Sequence, residues 1–528
     1  SGTGALYGIY NIGSPTSEVI TNNTISALSH AGTGTTYGIY LFASSGSVLR
    51  TLGENTIFDI QTAGLSVAGI NVAGSTSHIY KNKIYNIKSN SIGNAIVSGL
   101  VLGNLGANGT ADVYNNFIGD LKSPAGTISA ATAPAVRGIN ITASSGASTS
   151  FSLYYNTVYL SASSTAANFG SAALYATSNA TATIAALTLT NNIFFNASIP
   201  EGIGLTAAYQ RSSADLANFV STSDYNLFYA GTPGPANLIM YDGTDAYSTL
   251  NSYKVATAPR EVSSVSVMPN WLSTDGSSPA FLHIDGSVAS AIESGGVNIG
   301  TYTDDFDGDI RAGNSGYPPQ VNGGGTSPDL GADEFDGVPF PNCTDTPAAS
   351  TITGPSFVCH GTGTVLGLSN EYTDRGITYR WRSATVPGGP YSDLGVLSTQ
   401  ATGILTVTTY YICEITCAFS GLTFTTPVMT VTVPAVTVSP VSAPYCTPGG
   451  PSVELTASGM VNYSWSPSTG LSSTTGAIVY ASPTENTTYT VTGTDDNGCT
   501  STAASTISVG PSVTITSVVA TPPSVCPG

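Results

Sequence analysis

The stretch Gly69–Ile84, GINVAGSTSHIYKNKI, decides the fold, because it carries one copy of each of two short motifs that alternate through residues 1–200. The first motif is a glycine followed by an apolar strand, as in Gly69-Ile70-Asn71. The second is an asparagine followed by alternating apolar residues, as in Asn82-Lys83-Ile84. Self-similarity of this kind is the sequence signature of a stacked, repetitive architecture.

Copies of the asparagine motif follow one another at intervals of 32, 27, 34, 40 and 36 residues. They begin at Asn23, Asn55, Asn82, Asn116, Asn156 and Asn192. A unit with two or three short strands and no helical pattern cannot bury its apolar face alone, so successive units must stack. We therefore predict a parallel β-helix whose asparagines form a hydrogen-bonded ladder at a turn, where asparagine tolerates a left-handed backbone. The motif glycines are predicted at corners without room for a Cβ atom.

From about residue 200 to 337 the period weakens, and this stretch is predicted to be the closing segment of the β-helix, with landmarks of its own. They are Asp305-Phe306-Asp307-Gly308-Asp309-Ile310-Arg311 and Asp329-Leu330-Gly331-Ala332-Asp333-Glu334. At this pair of motifs the chain resembles the pectate-lyase-like right-handed β-helices of secreted proteins from Bacteroidota. The resemblance covers roughly residues 1–337 and implies a right-handed parallel β-helix that this segment closes. It also implies export by a type IX secretion system.

A region of different character begins at Cys343, the first of the seven cysteines. Residues 343–433 contain in order Cys359, Trp381, Tyr411 and Cys413, as immunoglobulin-like sandwiches do. We predict an Ig-like domain in which Trp381 packs on a Cys359–Cys413 disulfide and Tyr411 forms a tyrosine corner. Cys343 and Cys417 are then left to form a second bridge.

Residues 434–510 repeat this plan with Cys446, Trp465, Tyr489 and Cys499. They predict an Ig-like or PKD-like domain with a Cys446–Cys499 bridge. Residues 511–528 are interpreted as the incomplete start of a further Ig-like domain, with the partner of Cys526 beyond Gly528. The overall prediction is an all-β chain, a β-helix followed by tandem sandwiches, in an oxidising extracellular compartment.

Charge and hydropathy exclude several classes of partner. The formal net charge is −18, with only 13 lysines and arginines, so the clustered basic side chains that bind nucleic acid are missing. No apolar run approaches the ~20 residues that cross a bilayer, and no transmembrane segment is predicted.

Acidic residues are the candidates for chemistry. In residues 1–200 they are Glu18, Glu54, Asp59, Asp112 and Asp120. Asp59 and Asp120 follow a ladder asparagine at the same offset, and we interpret them as polar turn residues of one corner rather than a catalytic site. His30, His78, His283 and His360 belong to no zinc pattern and are assigned structural or surface roles.

The closing segment offers one candidate metal site. Asp305, Asp307 and Asp309 alternate on an oxygen-rich loop and could hold a structural Ca²⁺ ion, although their order is not that of an EF-hand. The favoured alternative is a capping turn in which Arg311 pairs with an acid such as Asp333 or Glu334. No other cofactor is predicted.

These observations predict a non-catalytic, secreted cell-surface protein with a structural and adhesive role. Its expected partners are neighbouring domains of a longer chain, surface glycans, or copies of itself in a filament. One alternative is a polysaccharide-active lyase or hydrolase with Ig-like accessory modules, which requires converging carboxylates and a basic side chain. Another is a carbohydrate- or ice-binding module. Tyrosines recur around the two motifs and are expected to fill stacked core positions rather than to form a glycan platform. They are Tyr7, Tyr10, Tyr37, Tyr40, Tyr80, Tyr85, Tyr114, Tyr154 and Tyr155.

Overall fold

A computed structural model describes residues 2–510 apart from 44–47, 75, 104–108, 143–148, 177–185, 326, 371, 373, 375, 397 and 446–450, and it leaves out the side chain of Asn251. The chain divides into two compact units, Ser1–Phe340 and Pro341–Gly528. The predicted start of a further domain at 511–528, with Cys526, lies outside the described residues, as does Cys446.

The first unit is a stack of coils built from short strands. The strands of its first four coils are β1 (Leu6–Asn11), β2 (Ser17–Thr21), β3 (Thr24–Ile25), β4 (Leu28–His30), β5 (Thr36–Phe42), β6 (Leu49–Gly53), β7 (Thr56–Ile57), β8 (Ile60–Thr62), β9 (Ser66–Ala73), β10 (Thr76–Tyr80), β11 (Lys83–Ile84), β12 (Ile87–Ser89), β13 (Ile96–Leu102), β14 (Thr110–Tyr114), β15 (Phe117–Gly119) and β16 (Leu121–Lys122). The later elements are β17 (Val136–Ile141), β18 (Ser150–Tyr154), β19 (Thr157–Leu160), β20 (Ser171–Ala176), β21 (Ala186–Thr190), β22 (Ile193–Asn196), β23 (Thr206–Arg211), β24 (Leu227–Tyr229), β25 (Asn237–Tyr241), β26 (Ala246–Tyr247) and α1 (Leu250–Thr257).

Strands of successive coils pair in parallel, as predicted for a β-helix. Sheet A runs β1-β5-β9-β13-β17-β20-β23-β25, sheet B runs β2-β6-β10-β14-β18-β21, sheet C runs β3-β7-β11-β15-β19-β22-β24, and sheet D runs β4-β8-β12-β16. The register places like residues above one another, so that Ile39, Ile70 and Leu100 form a fully buried column. Such columns bury the apolar face that no single coil can hide.

The predicted asparagines form a ladder at the turn between sheets B and C. In each rung, the Oδ1 atom accepts from both the backbone N–H and the Nδ2 of the asparagine one coil earlier. Asn82, for example, donates to Asn116 Oδ1 at 3.0 and 2.9 Å. Its other Nδ2 hydrogen goes to the carbonyl oxygen of Leu52, 3.0 Å away. The ladder joins Asn23, Asn55, Asn82, Asn116, Asn156 and Asn192, and continues to Asn226.

The prediction that these asparagines themselves adopt a left-handed backbone is wrong. The left-handed residue is the one before each ladder asparagine, as at Lys81 (φ 50°), Asn115 (φ 55°) and Tyr155 (φ 53°). A second left-handed corner, between sheets C and D, holds Asp59 and Asp120 in the way predicted for turn residues. Ladder asparagines are therefore required for hydrogen bonding rather than for backbone freedom.

The motif glycines also differ from the prediction, since they lie inside the strands of sheet A and not at corners. A Cβ atom on Gly69 would lie 2.5 Å from Cγ2 of Ile84 and 2.8 Å from the carbonyl oxygen of Gly99. Gly99 meets Ile118 in the same way, at 2.3 Å. The missing side chains let sheet A approach the apolar residues of sheet C, which makes the core of the coil thin.

The ladder ends on a buried carboxylate. Asn226 donates its Nδ2 to Oε2 of Glu261 at 2.9 Å and its backbone N–H to Oγ of Ser264 at 2.8 Å. Ser264 in turn donates to the same Glu261 oxygen at 2.5 Å. Glu261 and Ser264 thus together accept the two hydrogen bonds that a single asparagine Oδ1 atom accepts elsewhere in the ladder. Just before them, Tyr253 of α1 is buried in the core and lies edge to face on Phe228, so α1 covers this end of the stack.

The second unit contains two antiparallel sandwich-like pairs of sheets. The strands of the first are β27 (Ile352–Thr353), β28 (Val365–Leu368), β29 (Ile377–Ala384), β30 (Ser392–Gly395), β31 (Gln400–Ala401), β32 (Thr409–Cys417), β33 (Thr423–Thr425) and β34 (Met429–Val431). The strands of the second are β35 (Thr437–Ser439), β36 (Ser442–Tyr445), β37 (Val453–Ser458), β38 (Asn462–Ser466), β39 (Ile478–Ala481), β40 (Thr487–Thr494) and β41 (Thr500–Val509). Trp381 and Trp465 are buried in the two cores.

Disulfide pairing agrees with the prediction at one bridge and corrects it at the other two. Cys343 is bonded to Cys417. Cys359 is bonded to Cys499 instead of Cys413, so neither the Cys359–Cys413 nor the Cys446–Cys499 bridge forms. The reason is side-chain direction: Val358 points into the core that holds Trp381 and Cys413, so the adjacent Cys359 points away from it.

Cys413 is consequently a free thiol, and Trp381 packs beside it rather than on a disulfide. The two residues are direct cross-strand neighbours in β29 and β32. Burial raises the pKa of the Cys413 thiol to about 12, which keeps it protonated. It therefore behaves as a small apolar core residue.

Replacing a central ladder residue tests the role of the ladder. Asn116→Ala removes the acceptor of two buried donors of Asn82 and should lower the free energy of unfolding of the first unit by about 3 kcal/mol. Asn90→Ala, at an exposed position, is the matched control and should leave it unchanged. Urea denaturation measures both, and equal stabilities for the two variants would contradict the role given to the ladder.

Glu261 predicts a pH dependence of stability. Burial raises the pKa of this carboxyl from 4.5 to about 7, against the hydrogen bonds from Ser264 and Asn226, which lower it. The protonated form is therefore favoured by folding, and its stabilisation is complete below pH 4.5 and is lost as the pH rises through 7. The loss amounts to ~3 kcal/mol.

Glu261→Gln, which cannot ionise, should thus unfold at higher urea than the natural chain at pH 8. That advantage should shrink as the pH is lowered to 4.5. A difference between the two proteins that does not change with pH would contradict a buried, titrating Glu261.

Candidate functional site

Coil strands continue to Tyr241, so the predicted closing segment is narrowed to residues 265–337, which lie against the flank of the coils and keep this name below. They contact the left-handed turn residue in each of four successive coils. Lys81 Nζ lies 2.7 Å from Asp304 Oδ2, and Asn115 donates to the carbonyl oxygen of Asp304 at 2.8 Å. Tyr155 and Asn191 donate to the carbonyl oxygen of Val297 at 2.9 and 2.7 Å. The segment thus covers one edge of the coils, in addition to closing the sequence of repeats.

Arg311 is the centre of this contact. Its side chain is fully buried and stacks on the ring of Tyr155, with the guanidinium carbon 3.9 Å from the ring centre. It donates to Glu334 Oε2 at 3.1 Å and to Asn115 Oδ1 at 2.9 Å. The arginine therefore joins the two closing motifs to each other and to the coils. The acid that it pairs with is Glu334, one of the two partners that the sequence suggested.

Most acids of the closing motifs accept hydrogen bonds from backbone N–H groups. Asp329 accepts from Ser294 at 2.6 Å and from Phe335 at 2.8 Å. Burial, together with the charge of Glu334, raises the pKa of Asp329 well above its usual value. These carboxylates accept the backbone hydrogen bonds that a neighbouring strand would accept in a regular sheet.

The three predicted calcium ligands have different surroundings. Asp305 Oδ1 accepts from the N–H groups of Asp307, Gly308 and Asp309 at 2.8–2.9 Å, and Oδ2 accepts from Glu334 at 2.9 Å. Asp309 is exposed. Within the described residues, these three carboxylates do not form a group whose oxygens lie near enough to share one ion, because Asp305 is held by the backbone.

A different group does converge in this part of the chain. His283, Asp307 and Asp333 each offer one ligand atom, and these atoms lie within 4.8 Å of one another. Burial lowers the pKa of His283, but the hydrogen bond that it donates to Asp307 and the charge of Asp333 outweigh burial and raise the pKa to about 9. Burial raises the pKa of Asp333 to about 7. His283 was assigned a structural or surface role from the sequence, since its partners Asp307 and Asp333 lie 24 and 50 residues further along the chain.

The acids of the coils lie in separate places. Glu18 pairs with the buried Arg50 at 2.9 Å. Asp112 lies 3.7 Å from His78 on the outer face of sheet B. Asp120 pairs with Lys122 at 2.7 Å, at the corner between sheets C and D.

The tyrosines were predicted in the core, and for most of them this is wrong. Tyr155 is buried, but the other recurring tyrosines lie on outer faces. Tyr114 is covered by Tyr302 of the closing segment at 4.4 Å between ring centres. On β1 and β5, four tyrosine rings stack in pairs: Tyr7 on Tyr37 at 5.8 Å, and Tyr10 on Tyr40 at 5.7 Å. Tyr10 remains 49% exposed.

No protein-family model matches the chain, and no curated protein sequence matches it either. Among solved structures, it is similar to the three N-terminal domains of the bacteriophage RB49 highly immunogenic outer capsid protein, at 17% identity and a TM-score of 0.16 over 30% of this chain and 59% of that one. It is also similar to the N-terminal four Ig domains of Dscam1 isoform 1.9, at 15% identity and a TM-score of 0.17 over 34% of this chain and 50% of that one. The chain thus spans no more than 59% of either.

The disulfide bonds bear on the compartment. The disulfides Cys343–Cys417 and Cys359–Cys499 are typical of extracellular proteins, which mature in oxidising surroundings. Within the described residues, no helix has the length and apolar character that crossing a bilayer requires.

Arg311 provides the test of the closing contact. Arg311→Met leaves buried Glu334 without its cation and should lower the free energy of unfolding of the first unit by about 4 kcal/mol. Lys122→Met, which removes a partly exposed ion pair from the same unit, is the control and should cost no more than about 1 kcal/mol. Urea denaturation gives both values. Equal effects of the two substitutions would show that the closing segment does not depend on Arg311.

Proposed function

We propose that this chain is a non-catalytic structural and adhesive segment of a secreted, cell-surface protein. The observation that carries the proposal is the asparagine ladder, which joins successive coils through buried hydrogen bonds from Asn23 to Asn226. A column joined in this way is suited to hold a fixed length under load, because every coil is bonded to the next. Neighbouring domains of a longer chain are its expected partners.

The surroundings of the acids support a structural role. Asp305, Asp329 and Glu334 hold turns of the closing segment through backbone N–H groups, and Glu18 neutralises a buried arginine. An acid whose oxygens already accept backbone hydrogen bonds is poorly placed to act on a substrate. The proposal that the chain is not an enzyme rests on these contacts.

The extracellular location is supported by the two disulfides. The more specific proposals, display on a cell surface and export by a type IX system, rest on the resemblance of the closing motifs alone. End-to-end assembly into a filament is the weaker proposal, because α1 and Tyr253 cover one end of the stack.

A second candidate function, glycan binding, is favoured by the tyrosines of β1 and β5. Tyr7, Tyr10, Tyr37 and Tyr40 form one continuous aromatic patch on the outer face of sheet A. The apolar C–H face of a pyranose ring packs on such rings, and the phenol hydroxyl groups can bond to sugar hydroxyls. An adhesive role requires a contact surface, and this patch could supply it.

The proposal that the chain is non-catalytic is tested by measuring turnover of polysaccharides. The full chain is incubated with acidic and neutral polysaccharides, and reducing ends and unsaturated products are measured over a day. We expect no product above the buffer blank. Product formation that is lost in Asp112→Asn or Asp333→Asn would overturn the non-catalytic function.

Glycan binding is tested separately on an array. Any retained glycan should lose at least 10-fold in affinity when Tyr10 and Tyr40 are both replaced by alanine. Tyr480→Ala, which removes an exposed tyrosine from the second unit, is the matched control. Binding that is equal in both variants would refute the tyrosine patch but leave the structural role intact.

A further inference from the structure

The group formed by His283, Asp307 and Asp333 lies where three turns of the closing segment meet. His283 follows the turn at Phe281, Asp307 lies in the first closing motif, and Asp333 lies in the second. The His283 Nε2 atom is 2.6 Å from Asp307 Oδ2 and 3.9 Å from Asp333 Oδ1. Three separate turns thus direct one nitrogen and two oxygen atoms to a single point.

The orientation of the imidazole directs Nε2 toward the two carboxylates. His283 Nδ1 lies 3.2 Å from the carbonyl oxygen of Phe281, which can only accept a hydrogen bond. Without a metal ion, Nε2 donates its proton to Asp307 at 2.6 Å, and a cation that binds Nε2 displaces this proton while Nδ1 keeps its own. This arrangement, in which a backbone carbonyl fixes the tautomer, is the one that metal-binding histidines use.

Asp333 supplies a second, independent observation. Its side chain is only 8% exposed, and its Oδ2 atom accepts from the backbone N–H of Ile284 at 2.8 Å. The other oxygen, Oδ1, lies 3.9 Å from His283 Nε2. A carboxylate that is this deeply buried is costly unless a cation or a proton lies beside it.

The surroundings suit a bound cation with one open side. The ring of Phe117 lies 5.2 Å from the His283 ring and 4.5 Å from Phe306, so apolar rings form one wall. Asp307, in contrast, is 48% exposed, which gives an ion access from solvent. Apolar walls strengthen the attraction between a dication and two carboxylates, because they keep water away.

We propose that His283, Asp307 and Asp333 bind one Zn²⁺ ion, which fastens the three turns of the closing segment together. One imidazole nitrogen and two carboxylate oxygens match zinc, whereas Ca²⁺ takes six to eight oxygen ligands and no nitrogen. Tetrahedral zinc at ~2.05 Å from each ligand places the ligand atoms about 3.3 Å apart. The two distances from Nε2, 2.6 and 3.9 Å, lie on either side of that value, so small side-chain rotations suffice. The fourth position is left for water.

The experiment uses the full chain, without a polyhistidine tag and freed of metal by chelator. Zn²⁺ is titrated by calorimetry, and Ca²⁺ and Mg²⁺ are titrated in parallel. We expect one Zn²⁺ per chain, and a rise in the thermal midpoint that chelator reverses. Ca²⁺ and Mg²⁺ should bind at least 100-fold more weakly.

Three variants locate the ion. His283→Asn and Asp333→Asn should each weaken Zn²⁺ binding at least 30-fold. If either variant fails to fold, Asp307→Asn, at a half-exposed position, takes its place in the test. His78→Asn is the matched control, because His78 and Asp112 form a similar pair without a third ligand. Its affinity for Zn²⁺ should equal that of the natural chain.

The absence of stoichiometric Zn²⁺ binding would overturn the proposal and identify the group as an imidazolium paired with two carboxylates. Binding that survives both His283→Asn and Asp333→Asn would overturn it as well. So would equal or tighter binding of Ca²⁺.

Discussion

The hydrogen bond from one buried asparagine to the next is the interaction on which the first unit depends. The Oδ1 atom of each ladder asparagine accepts two hydrogen bonds from the coil before it, and its Nδ2 group also donates to a backbone carbonyl oxygen. The polar groups of the ladder are therefore all hydrogen-bonded in the core. A side chain of another length could not meet all these groups at once. The ladder therefore fixes the register of the coils, and with it the alignment of the apolar columns.

The ladder also positions the outer surface. Because the left-handed residue always precedes a ladder asparagine, its side chain recurs at the same corner in every coil. Lys81, Asn115, Tyr155 and Asn191 therefore form a regular row, although they belong to three residue types. Two residues of the closing segment each bind two members of this row: Asp304 contacts Lys81 and Asn115, and the carbonyl oxygen of Val297 accepts from Tyr155 and Asn191. An irregular segment can thus attach to a regular column without a strand of its own.

The sequence predicts the features that repeat. Identical asparagines at a fixed place in each coil predict both the stack and the ladder, and Asp59 and Asp120 predict a shared corner. Where a different residue takes over the hydrogen bonds of a ladder asparagine, the sequence contains no repeated motif that would indicate it. Glu261 and Ser264 together replace one asparagine, and only their position in space reveals this.

Contacts between distant turns are equally hard to predict. His283 has no metal-ligand spacing to any neighbour, yet the closing motifs bring Asp307 and Asp333 to it. Cys359 shows the opposite error. Its spacing to Trp381 and Cys413 suits an immunoglobulin-like sandwich, but Val358 occupies the inward position, so the cysteine points to Cys499 instead. A shift of one residue along an extended chain reverses the face that a side chain occupies, and cysteine spacing does not record it.

The most direct measurement is hydrogen exchange of the asparagine side-chain amides, followed by NMR on chain labelled with ¹⁵N at asparagine. In the ladder, both hydrogens of each Nδ2 are bonded within the core, so these signals should persist long after transfer to D₂O. The signals of exposed asparagines such as Asn90 should vanish at once. Ladder amides that exchange as fast as Asn90 would contradict the account.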